Sequence, residues 1–99
     1  MSVHNNETSI EKSINSVLDQ TYKDFELLVL DDFSTDSTPE ILNTFKHDSR
    51  VKIYSNDKNI GLTKSLNFLI EQSSCKYIFR QDSDDFSLPT RFTKQLNIL

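Results

Sequence analysis

Three carboxylates fall within four residues at Asp82, Asp84 and Asp85, directly after the short β-prone run Tyr77-Ile78-Phe79-Arg80-Gln81. Two like charges about 4 Å apart repel by roughly 4 kcal/mol at an effective dielectric near 20. Converging acids therefore need a cation, a shared proton or open water. The chemistry on offer is the binding of a hard divalent ion by oxygen ligands. A second cluster has the same form: Phe25-Glu26-Leu27-Leu28-Val29-Leu30 runs into Asp31-Asp32, with Ser34, Thr35 and Asp36 close behind. Two apolar runs that each end in acids point to one shared site.

The elements that must position these acids alternate along the chain. Thr8 with Glu11 three residues later makes a capping box, and Ile10, Ile14, Val17 and Leu18 follow at helical spacing, so a first helix is expected at about 9–20. Phe25 to Leu30 is short and uniformly apolar, as a strand buried on both faces would be. Thr38 before Pro39 and Glu40 predicts a second helix over roughly 39–46, with Ile41, Leu42 and Phe45 as its apolar stripe. Val51-Lys52-Ile53-Tyr54 alternates like a strand. A polar loop from Ser55 to Gly61 holds the only glycine, and Leu62, Leu66, Leu69 and Ile70 return to helical spacing. A strand Tyr77–Gln81 and a helix from near Pro89, with Phe92, Leu96 and Leu99 on one face, complete the pattern.

Strands separated by helices imply right-handed crossovers and a parallel sheet, an α/β fold of the Rossmann-like kind with helices on both faces. Ligands of such sheets bind beyond the carboxyl ends of the strands, where both acidic clusters lie. With one strand between them the clusters stand about 10 Å apart at ~4.8 Å per strand, a span that suits a nucleotide held at both ends.

Composition narrows the classes. The 99 residues make one small domain with a modest core. The net charge of −4, with acids and bases interspersed, argues against a nucleic-acid partner. Cys75 is the only cysteine, which excludes an intrachain disulfide or a cysteine zinc cluster and fits a reducing compartment. No apolar run approaches the ~18–20 residues of a membrane span, and the first residues lack the regions of a signal peptide.

The order Ser2-Val3-His4-Asn5-Asn6-Glu7, then Ser13 to Tyr22, Phe25 to Asp36, Asn59-Ile60-Gly61-Leu62 through Ser65-Leu66-Asn67, and Gln81 to Asp85 followed by Pro89-Thr90-Arg91-Phe92, resembles the amino-terminal part of family 2 glycosyltransferases with the GT-A fold. A bare D-x-D is common by chance; these pieces in order and spacing are not. The resemblance implies inverting transfer of a sugar from a nucleotide-diphosphate donor, usually a uridine one, in cell-surface glycan synthesis. It implies nucleotide-binding roles for Asp31 at the base, for Asp32 and Ser34 at the nucleoside, for His4 and Asn5 at the end of the first strand, for Lys64, which with Asn67 lies on the helix after the glycine loop, and for Asp82 near the ribose. Asp84, with Asp82, would hold Mn²⁺ or Mg²⁺. Implied partners are the nucleotide-sugar donor and a saccharide or lipid-linked acceptor, the latter bound by a half of the fold beyond residue 99. The implied location is cytoplasmic, peripheral at the inner face of the membrane.

Two departures from the family pattern carry expectations of their own. The family's first strand lies between the strands ending at Asp31 and Asp82 and is apolar ahead of the position of Ser2; here only Met1-Ser2-Val3-His4 stands, so a weakly stable domain, a partial GT-A unit over 1–99, is expected. No residue matches the family's general base, so the isolated chain is expected to be inactive as a transferase. A non-catalytic nucleotide-sugar or metal-binding module is the alternative. A haloacid-dehalogenase-type phosphotransferase is disfavoured by Phe86, where Thr or Val is wanted, and a calcium loop by Phe86 and Ser87 at its fifth and sixth positions.

Overall fold

The computed structural model describes residues 1–73, 78–83 and 87–98, the last three of these for their backbone alone. In chain order it contains β1 (Ser2–Val3), α1 (Ile10–Leu18), β2 (Leu27–Asp31), α2 (Thr38–Asn43), β3 (Val51–Ser55), α3 (Leu62–Gln72) and α4 (Arg91–Ile98). The sheet is parallel, in the order β1-β2-β3. Val3 lies opposite Asp31 and Asp31 opposite Ser55, so all three strands reach their carboxyl ends on one line.

Alternation along β2 assigns the two faces. Leu27 and Val29 stand beside Val51 and Ile53 and join Ile10, Ile14, Val17, Leu42, Phe45 and Phe92 in the core under α1, α2 and α4. Leu30 lies opposite Tyr54, on the side of α3, where the Tyr54 and Phe68 rings meet edge to face at 5.4 Å. The α/β parallel sheet covered on both faces is as the sequence predicts, and β2 is a buried strand.

Several boundaries move, each for a local reason. The Thr8–Glu11 capping box does not form: α1 starts at Ile10, and Ser9, its N-cap, makes no side-chain capping bond. The Asn6 carbonyl takes the Ser9 and Ile10 amides instead, and the Ser9 hydroxyl is turned to the Ser83 carbonyl. β2 begins at Leu27 rather than Phe25, because Phe25 leaves the sheet to pack edge to face on Phe92 at 5.2 Å. α2 ends at Asn43, beyond which Thr44, Phe45 and Lys46 donate to carbonyls three residues back, the tightened geometry of a closing turn. On α3 the buried positions are Ser65 and Leu69, while Leu62 and Ile70 are half exposed.

The expected strand Tyr77–Gln81 is corrected in its described part. Residues 78–81 make no strand, and β1 forms the edge of the described sheet rather than its middle. The Arg80 carbonyl is taken by the Arg91 guanidinium and the Phe79 ring packs on Phe92 at 5.1 Å, so this stretch is tied to α4 instead of to a strand. Tyr77, Cys75, Leu99 and the side chain of Leu96 lie outside the described residues.

The junction between α1 and α4 is polar and buried. Gln20, fully buried, donates from Nε2 to the carbonyls of Ser16 and Leu88 and accepts the Phe92 amide, thereby capping the first turn of α4. The Thr21 amide adds a 2.7 Å bond to the Pro89 carbonyl. These contacts fix where α4 starts, and with it the segment that precedes it.

Candidate functional site

At the carboxyl end of β2 the two adjacent acids have different environments. The Asp32 carboxylate is saturated: Oδ1 accepts from the Ile60 amide and from Asn56 Nδ2, and Oδ2 accepts from the Gly61 amide, all at 2.9 Å. Burial pushes this carboxyl up, but those three bonds and the nearby His4 outweigh it and hold its pKa below the ordinary aspartate value. Asp32 thus clamps the glycine loop. Gly61 sits at φ +90° with nothing within 4 Å of where a Cβ would stand, so its backbone angle, not crowding, calls for glycine.

Asp31, equally buried, is far less engaged. Its Oδ1 accepts the Ser34 amide at 3.2 Å, and among the described residues Oδ2 has no hydrogen-bond partner. A buried carboxylate with acceptor capacity to spare is what an N–H donor of a ligand requires. Between these acids and Ser34 lies Phe33, half exposed and at φ +59°, an unusual angle for a bulky residue.

The loop after β1 is sewn to this corner. His4 Nδ1 lies 2.6 Å from the Asp32 carbonyl, so that nitrogen carries the proton and donates, leaving Nε2 to accept. Asn5, at φ +49°, donates its amide to Ser34 Oγ and accepts the Thr35 amide on Oδ1 at 2.7 Å. Farther out, the Glu7 carboxylate accepts the Ser37 amide while the Asp36 carboxylate accepts the Glu7 and Thr38 amides. Burial raises the Asp36 carboxyl, but the bonds from Thr38 and Glu7 prevail and lower it.

The same loop also reaches the second acidic cluster. Asn6 Nδ2 donates to Ser83 Oγ at 2.7 Å, and Ser13 Oγ donates to the Asp82 carbonyl at 3.2 Å. Gln81, buried, accepts on Oε1 from Arg91 and from the Ser87 hydroxyl. The Asp82 side chain, half exposed, accepts Arg80 Nε on Oδ1 at 3.1 Å; among the described residues Oδ2 has no partner. Asp84 and Asp85 lie outside the described residues. Among those described, no three His, Cys, Asp or Glu side chains gather as a metal site. The donor type still fits Mn²⁺ or Mg²⁺, since the Asp82 carboxylate is a hard oxygen donor, half exposed, with Oδ2 unpartnered among the described residues.

Of the residues singled out from sequence, the structure therefore brings His4, Asn5, Asp31, Asp32 and Ser34 together and ties Asp82 to them through Asn6. Lys64 and Asn67 stand exposed on α3, and no hydrogen bond ties them to this group among the described residues. Sequence reasoning missed Asn6, Asn56 and Asn59 as the connectors. The signal was there in the asparagines that follow β1 and β3. A cavity of about 600 Å³ lies elsewhere, at the amino end of β2.

A parallel sheet with acids and asparagines crowded at one end of its strands, and a second acidic segment pinned beside them, defines an α/β fold with a polar corner at the carboxyl ends of its strands. The chain belongs to glycosyl transferase family 2, whose family model matches residues 1–99. It is 43% identical over 102 residues to the O-antigen biosynthesis glycosyltransferase WbnJ of Escherichia coli, covering 96% of this chain and 38% of that protein. It is 32% identical over 99 residues to WfaP of Escherichia coli, a UDP-Glc:alpha-D-GlcNAc-diphosphoundecaprenol beta-1,3-glucosyltransferase, with 100% and 39% covered. The crystal structure of S. aureus TarS 1–349 in complex with UDP-GlcNAc matches with a TM-score of 0.90 at 26% identity, over 97% of this chain and 28% of that one. The fold is that of the GT-A glycosyltransferases. The chain spans 12–40% of the length of the relatives it matches. No described helix is long and apolar enough to cross a membrane.

Proposed function

We propose that these 99 residues are the donor-binding part of an inverting glycosyltransferase that takes a UDP-sugar with a divalent metal, in the assembly of cell-surface glycan. The observation that carries this reading is the continuous hydrogen-bonded seam from Asp32 and Ser34 through His4, Asn5 and Asn6 to Ser83. It joins an acid pair at a strand end to a D-x-D segment. Supporting it, TarS has been crystallised with UDP-GlcNAc, and the name of WfaP specifies a UDP-sugar donor and a diphosphoundecaprenol-linked acceptor.

In this reading Asp31 accepts the nucleobase N–H on its unoccupied oxygen, and the exposed His4 ring, held through Nδ1, lies against the nucleoside. Asp32 acts indirectly by holding the glycine loop. Asp82 and Asp84 hold Mn²⁺ or Mg²⁺. A metal bound there would supply Lewis-acid neutralisation of the charge growing on the diphosphate leaving group. Lys64, exposed on α3, would reach the donor from its rim in this reading. The base that activates the acceptor hydroxyl, needed for direct displacement, and the lipid-linked acceptor site at the inner membrane face belong to other parts of the protein; by itself this unit binds without efficient turnover.

Calorimetric titration of UDP into the chain tests this, with Mn²⁺, without it, and with Asp84→Ala. Metal-dependent binding that is lost in the variant is expected. No binding by a demonstrably folded sample, or binding indifferent to both metal and Asp84, contradicts the assignment.

A further inference from the structure

Ser9, Ser13, Ser16 and Gln20 recur every three or four residues along α1 and its ends, so they share one face of the helix. Each is bonded to the main chain of the segment that runs from the D-x-D to α4. The Ser9 hydroxyl donates to the Ser83 carbonyl at 3.5 Å and the Ser13 hydroxyl to the Asp82 carbonyl at 3.2 Å. Ser16 Oγ accepts the Ser87 amide at 2.9 Å, and Gln20 donates to the Leu88 carbonyl at 2.8 Å. This polar stripe seats the backbone of the segment and leaves its acidic side chains to other partners.

One side chain of α4 fastens both ends of the acidic segment. Arg91 Nη1 donates to Gln81 Oε1 at 2.8 Å and to Ser87 Oγ at 3.0 Å, while its Nη2 donates to the Arg80 carbonyl at 2.8 Å. Gln81 Oε1 also accepts the Ser87 hydroxyl at 2.5 Å, and Gln81 Nε2 donates to Ser13 Oγ at 3.3 Å. Gln81 and Ser87 are buried, so their oxygens depend on these donors. The chain therefore enters the acidic segment at Gln81 and leaves it at Ser87 from one clasp. The planar guanidinium makes all three contacts from a fixed fork, a geometry that the point charge of a lysine cannot reproduce.

We infer that Arg91 is a positioning residue for the metal-binding acids, acting through Gln81 and the Arg80 carbonyl on Asp82. The inference rests on the reading of Asp82 as a metal ligand. The Asp82 carboxylate is bonded to Arg80 Nε in a pair at least half exposed on both sides, and such a pair holds a side chain weakly. Its direction is set instead by its backbone, fixed at the Asp82 carbonyl by Ser13 and at the preceding residue by the clasp. Mn²⁺ and Mg²⁺ tolerate little error in the placing of their oxygen ligands. Loosening the clasp thus costs metal affinity, whereas the corner built by Asp31, Asp32 and Ser34 has supports of its own. A role in stability alone would not single out the metal.

The test is the affinity for Mn²⁺ at saturating UDP, read from the spin-resonance signal of free Mn²⁺, for the 99-residue chain, Arg91→Lys and Ser87→Ala. Arg91→Lys should weaken Mn²⁺ about tenfold, the scale on which groups behind metal ligands act, and Ser87→Ala, which takes one member from the clasp, about threefold. In the ligand-free Arg91→Lys chain, exchange at the Ser87 amide should rise at least fivefold while that at the Gly61 amide, held by Asp32, stays within twofold. Phe45→Leu, in the core at the end of α2, serves as the control for stability: at a comparable fall in melting temperature it should leave Mn²⁺ affinity unchanged. Once Asp82→Asn is made, adding Arg91→Lys should cost little more, because both act on one ligand. Should Arg91→Lys lose cooperative unfolding, Ser87→Ala carries the same comparison. Unchanged Mn²⁺ affinity in the clasp variants, an equal loss in Phe45→Leu, or additive losses with Asp82→Asn overturns the inference alone. A wild-type chain that binds UDP with no response to Mn²⁺ overturns the site reading and this inference with it.

Discussion

Asn6 Nδ2 donates to Ser83 Oγ at 2.7 Å across 77 residues of sequence, joining the loop that leaves β1 to the centre of the acidic segment. Ser83 is the middle residue of the D-x-D, so this bond fixes where Ser83 stands relative to the corner held by Asp32. The bond is partly buried and neutral, worth about 1 kcal/mol to stability. Its larger effect is on position.

Asn6→Ala and Ser83→Ala should therefore each lower the melting temperature by only a few degrees while weakening metal-dependent UDP binding about five- to tenfold. The double variant should be no worse than either single one, because both remove the same bond. Calorimetry on the four proteins of this cycle checks it; additive losses would show that the two side chains act separately.

Asp31 and Asp32 separate under the same substitution. Asp32→Asn loses charge-assisted bonds and sets an amide N–H against the loop donors, at a cost of about 1.5–3 kcal/mol, whereas Asp31→Asn has one protein bond at stake, the Ser34 amide, which an Asn Oδ1 can still accept. Denaturant titration should find Asp32→Asn clearly destabilised and Asp31→Asn close to neutral. UDP binding should show the loss for Asp31→Asn, at least tenfold. The Asp32 effect also has a pH signature. Its folded pKa lies below the ordinary 3.8, so the unfolded chain binds more protons in the interval between them. Its contribution is complete above about pH 5 and disappears as pH falls below the folded value, and Asp32→Asn should lack that acid-side slope.

Gln20 makes three hydrogen bonds at zero exposure and supplies the cap of α4. Gln20→Ala leaves the Leu88 carbonyl and the Phe92 amide without it in an enclosed site, and about 2–3 kcal/mol of destabilisation is expected. Since α4 anchors Arg91, which holds Gln81 at 2.8 Å, native-state hydrogen exchange should accelerate at residues 87–92 before it does in the sheet. Ser65 offers the opposite case: its buried hydroxyl has no partner among the described residues, so Ser65→Ala should raise stability by about 0.5–1 kcal/mol.

How much of this was legible in the residues differs between fold and site. Alternation and apolar spacing identify β2, β3, α1 and α3 because burial on a fixed period leaves a direct mark. The line of strand ends carrying Asp31 follows from that topology. The division of labour between Asp31 and Asp32 does not, because it depends on loop amides of Ile60 and Gly61 that arrive from nearly thirty residues away. The capping box at Thr8 misleads for a similar reason: the Ser9 hydroxyl finds the Ser83 carbonyl, a partner no local rule contains. The edge position of β1 in the described sheet was not legible either, because the Arg80 carbonyl is engaged by Arg91, eleven residues on, and no local pattern contains that partner.

The Met1 α-amine gives the chain a stability slope near neutral pH. Burial lowers its pKa from 8.0 to about 6, with Asp82 opposing and Arg80 reinforcing the shift. Between those two values the unfolded chain binds the extra proton, so stability rises with pH across that window and is flat above it. Two units correspond to about 2–3 kcal/mol at full effect. Acetylating the amine removes the titration yet keeps an N–H able to donate to the Leu28 carbonyl. Because His4 and His47 are untouched by acetylation, the difference between the free and acetylated chains from pH 6 to 8 isolates this group. A free chain that gains stability over that range relative to its acetylated form is the expected outcome of paired denaturant titrations. Parallel profiles would mean that the amine swings out to solvent.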